Sequence, residues 1–125
     1  MEQRSDEELG MLYATPGDVE DARARKISSI DRDIATIRAN MESLKLRKQD
    51  LEEKAADRER EGLSPSTDIL DSLKNVSTQI ADGEQDLAKR LLERQHAIDQ
   101  FEFDLDGMKR LHPAAPREED TDGRH

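Results

Sequence analysis

At 125 residues, 33% of them apolar, 40% charged and 2% aromatic, the chain has room for one domain but too few large side chains for a core of ordinary thickness. The absence of cysteine excludes disulfides, thiolate zinc sites and cysteine nucleophiles, and it suits a cytoplasmic location. A net charge of -10, with 20 Lys and Arg dispersed among 30 Asp and Glu, excludes the clustered cations that nucleic acid requires, and no apolar run is long enough to enter a membrane.

In chain order, the first predicted element is a short helix within residues 1–14. Ser5-Asp6-Glu7-Glu8 has the form of a capping box, and Leu9, Met11, Leu12 and Tyr13 follow it. A longer helix should start at Thr15-Pro16-Gly17-Asp18: Thr15 caps, Pro16 suits the first helical position, and Asp18 reaches back. It runs to residue 61 and stops at Gly62, which tolerates the left-handed backbone that ends helices. After a turn at 62–64, a second long arm over about 65–111 begins at Ser64-Pro65 or at Ser66-Thr67-Asp68 and ends before Pro113. Residues 113–125, acidic and without apolar period, are expected to be a disordered tail.

Apolar spacing supports the two arms more strongly than their caps. Ile27, Ile30, Ile34, Ile37, Met41 and Leu44 step by three and four, and Lys48, Leu51 and Ala55 continue the row. In the second arm Ile69, Leu73, Val76, Ile80, Gly83 and Leu87 do the same. A step of four to Leu91, then Arg94, Ile98, Phe101, Leu105 and Met108, reads as a stutter. Two arms of similar length joined by a short turn predict an all-α fold, a long antiparallel two-helix coiled-coil hairpin over 15–112. A turn centred near residue 64 would set Met41 against Leu87, Ile37 against Leu91 and Ile27 against Phe101. Lys48 and Arg94 intrude on the seam, their stems lying along it while the heads reach water or acids such as Asp31 and Asp33. Gly83 should allow the helices to approach closely.

No catalytic or cofactor constellation emerges. Glu93 and His96 have the spacing of a bundle metal pair, yet the seam runs through Leu91, Arg94 and Ile98, which leaves Glu93 at its margin and His96 on the solvated face. No Gly-rich phosphate loop occurs, and three aromatic rings cannot wall a pocket. The expectation is therefore a non-enzymatic interaction protein without cofactors, a scaffold, adaptor or assembly factor whose partners are proteins. A lone two-helix seam buries little area per ordered residue, so a homodimer or higher bundle is expected on energetic grounds.

Two surfaces are candidates for the contact. One is the open end of the hairpin, richer in apolar bulk, with Leu9, Met11, Leu12, Tyr13, Leu92, Phe101, Phe103 and Met108. Leu92 and Phe103 lie off the seam and call for cover. The other is the acidic tip at the turn, Glu59, Glu61, Asp68 and Asp71, which would make the chain a regulator or inhibitor that inserts into a channel or groove of an enzyme. The plainer explanation of Asp68 and Asp71 is that acids at a helix start complement the helix dipole.

Overall fold

The computed structural model describes residues 3–112, and the tail expected over 113–125 lies outside the described residues. Three helices make up the fold: α1 (Asp6–Leu12), α2 (Pro16–Arg60) and α3 (Thr67–Leu111), with no strand among the described residues. The two long helices pack against each other as an all-α hairpin.

Local chemistry explains each boundary. The Ser5 hydroxyl accepts from the Glu8 amide at 3.2 Å and donates to the Glu8 carboxylate at 3.0 Å, which starts α1. Tyr13 is extended (φ −138°, ψ 141°), and its N–H still bonds the Leu9 carbonyl at 2.9 Å. At the start of α2, Thr15 Oγ1 accepts from the Asp18 amide at 3.2 Å, while Asp18 Oδ2 accepts from the amides of Thr15 at 3.1 Å and Ala14 at 3.0 Å. Pro16 then occupies the first helical turn, where its missing N–H would have had no partner.

The C-terminus of α2 closes as a Schellman motif. The Leu63 amide bonds the Arg58 carbonyl at 2.8 Å, the Gly62 amide bonds the Glu59 carbonyl at 3.0 Å, and Gly62 itself has φ +79°. Arg58 Nε also donates to the Ser64 carbonyl at 2.8 Å, which ties the turn to the helix it leaves. Of the two starts considered for α3, the Ser66 one is used: Ser66 Oγ accepts from the Ile69 amide at 3.2 Å.

Contacts divide the described residues into two compact units, Ile30–Glu93 and the segments 3–29 with 94–112, with α2 and α3 contributing to each. In Ile30–Glu93 the core is Ile30, Ile34, Met41, Val76 and Ile80, all buried, with Ile37, Leu44, Lys48, Leu51, Leu73, Gly83 and Leu87 half-buried between them. This is the three-four row expected of each arm. Register is corrected by about one helical turn. Met41 packs on Gly83 rather than Leu87, so close that a Cβ on Gly83 would stand 2.8 Å from Met41 Cγ. Asp33 is met by Arg90 at 3.6 Å. Both pairings fit a turn centred on Gly62 rather than two residues later.

The stuttered row fails at Leu91, which is 43% exposed while Arg90, the next position of an unbroken heptad, is half-buried; farther along α3 the heptad positions Ala97 and Asp104 and the stuttered positions Ile98 and Leu105 are all buried or half-buried. Following apolarity alone forces a step of four onto Leu91. There the helix instead keeps its period, and along its length it accepts polar groups at Arg90, Arg94 and Asp104.

Candidate functional site at the docked N-terminal helix

The segments 3–29 and 94–112 form a unit of three helical pieces. Its core is Leu9 of α1 (1% exposed), Val19 of α2 and Met108 of α3 (0% exposed), and Tyr13, Phe101, Leu105 and Leu111 pack around it. Val19, which precedes the apolar row recognised in α2, is as deeply buried as Leu9. Because α1 lies over α3, a wider arc of α3 is covered than one seam needs, and this accounts for both Phe101 and Leu105 being partly buried.

Beside this core sits Asp104, a carboxylate only 1% exposed. Its Oδ2 accepts from the Tyr13 hydroxyl at 3.4 Å and faces Arg4 Nη1 at 3.4 Å, and its Oδ1 accepts from Gln100 Nε2 at 3.2 Å. A carboxylate taken out of water is costly unless charge and donors replace the lost hydration. Arg4 supplies the charge, Tyr13 and Gln100 supply donors, and two of the three come from the N-terminal segment. Burial first, and the Asp104 charge second, raise the pKa of the Tyr13 phenol above its ordinary 10.0, against the lowering pull of Arg4.

Gly107 completes the arrangement. A Cβ there would collide with Leu9 Cδ1, so glycine in mid-helix creates the recess that seats the leucine. Neither Asp104 nor Gly107 stands out in the sequence by residue type or motif. The signal for Asp104 is the heptad itself, because counting unbroken threes and fours from Ile69 lands on it.

The eight open-end residues do not share one fate. Leu9, Tyr13, Phe101 and Met108 come together in the core just described. Met11 (81%), Leu12 (54%) and Phe103 (43%) are exposed in the same unit, and Leu92 (58%) is exposed in Ile30–Glu93. Phe103 lies among the carboxylates of Asp99, Glu102 and Asp106.

At the turn, Glu59, Glu61, Asp68 and Asp71 are all exposed, and Leu63 (47%) and Leu70 (52%) are exposed among them. The two leucines were not part of the predicted tip. Glu93 accepts from Arg90 Nη1 at 3.0 Å and His96 is exposed, so this pair does not point into a shared interior. Among the described residues no helix is long and apolar enough to cross a membrane.

Comparison with known protein families, with curated proteins and with solved structures finds no match.

Proposed function

We propose that this chain is a non-enzymatic coiled-coil interaction protein, a scaffold, adaptor or assembly factor, working through the end of the hairpin that carries α1. One observation supports this reading above the others: Met11 and Leu12 stand 81% and 54% exposed on a helix whose remaining large apolar residue, Leu9, is fully buried. A seven-residue helix that docks with one side chain and turns two others outward presents contact area on a supported base. A protein partner is the natural occupant, either a second copy or another chain, in the cytoplasm.

The experiment is an affinity capture with the intact chain, set against Met11→Asp with Phe103→Asp. Loss of the captured partner with helix content unchanged supports the open end. A second reading rests on Leu63 and Leu70, exposed among the tip acids, which would suit insertion of the turn into a target enzyme. Neutralising Glu61, Asp68 and Asp71 together tests it: capture lost here and kept in the open-end variant would replace the first reading by the second.

A further inference from the structure

The geometry points to α1 as an exchangeable strap, and to the recess beneath it as a binding site for the N-terminal segment of a second copy of this chain. This deepens the open-end reading by naming the partner and the groups that recognise it. The recess is specified in both shape and charge. Gly107 leaves the space that Leu9 fills, Val19 and Met108 wall it, and Asp104 receives Arg4 and Tyr13. Its complement is a helical segment with a leucine, a cation five residues before it and a phenol four residues after it. Residues 4–13 are that segment, and a second copy carries the same groups.

Several features make α1 separable from the rest. Seven residues are too few to persist as a helix without docking. Leu9 is its one buried side chain. Beyond Tyr13 only Ala14 and Thr15 join the docked segment to α2, and Pro16 together with the Thr15–Asp18 capping box keeps a released α1 from merging into α2 as one continuous helix. Release uncovers Val19 and Met108 and strips Asp104 of Arg4 and Tyr13, so an open recess has strong reason to be refilled. Refilling within one molecule is favoured at low concentration by the short tether, and refilling between two molecules, each lending its α1 to the other, gives a reciprocal two-fold pair.

The test uses the full chain and a labelled synthetic peptide of residues 3–14 as probe. In the wild type the recess is already occupied and the peptide should bind weakly. Leu9→Asp expels the chain's own α1, and peptide affinity should rise roughly ten-fold or more as that internal competitor is removed. Adding Gly107→Leu to Leu9→Asp should abolish the gain. Equal affinity in wild type and Leu9→Asp, or binding that survives Gly107→Leu, overturns the proposal.

Should Leu9→Asp lose helix content, amide hydrogen exchange on the wild type decides instead. The amides of Leu9 and Tyr13 should exchange roughly a hundred-fold faster than that of Met108, because a strap opens without the hairpin opening. Equal protection overturns it. Neither readout involves an outside partner, so failure here leaves the open-end reading standing, and failure of the capture experiment leaves the strap standing.

Discussion

The two compact units are built from the same pair of helices by different means. Ile30–Glu93 is a two-helix seam in which aliphatic rows meet and the close approach at Gly83 is met by the pliable side chain of Met41. The unit formed by 3–29 and 94–112 has a third helix, a buried carboxylate and a glycine recess filled by a branched leucine. The lesson is that a heptad seam can be completed by period alone, whereas a seam that accepts a charge must recruit its partners from elsewhere in the chain. Asp104 sits at a seam position of α3, and Arg4 and Tyr13 reach it from residues that precede α2.

Substitutions can break this comparison. The largest effect is expected at Met108, which is 0% exposed: Met108→Ala should cost about 2–5 kcal/mol in urea unfolding, the range for truncating a fully packed side chain. Gly107→Ala comes next. It gains about 1 kcal/mol of helix propensity, but the new methyl meets the buried Leu9, and overpacking of about 1–3 kcal/mol should outweigh the gain. Its signature is faster hydrogen exchange in α1 with α2 and α3 little changed.

Gly83→Ala has the same chemistry with a different neighbour, since Met41 can change rotamer. The net change should stay within about 1 kcal/mol of zero, a contrast with Gly107→Ala that calorimetry of the two variants measures directly. Equal losses at the two glycines would remove the distinction between the units.

Much of this architecture was legible in the residues, and the physical reason is that it is local. Ser5 with Glu8, Thr15 with Asp18, and Gly62 each solve a helix-end problem within a few positions, and the rows from Ile27 and Ile69 need only period three-four. What was missed is nonlocal or polar. Apolarity alone draws Leu91 into the seam, whereas Arg90 holds the heptad position and satisfies its charge on Asp33 and Glu93. Asp104 carries no local mark of burial, because the phenol and guanidinium that meet it lie far away in sequence. The one-turn error in register arose from centring the turn two residues late. Of the candidate site, the existence of α1 is readable from Ser5 and Glu8, but which side of it faces inward depends on Gly107, whose role appears only once Leu9 rests against it.

Tyr13 is the single tyrosine and there is no tryptophan, so the near-ultraviolet absorbance of its phenolate reports on the docked strap without interference. A folded-state value raised above the ordinary 10.0 means that docking favours the protonated phenol, so this contribution is complete below about pH 10 and is lost as pH rises through the folded value. In the wild type the phenolate should therefore appear above pH 10.0, and Asp104→Asn should bring the midpoint down while burial keeps part of the elevation. A wild-type midpoint at 10.0, or one that does not move when the carboxylate is removed, would contradict the docking of the N-terminal segment onto Asp104.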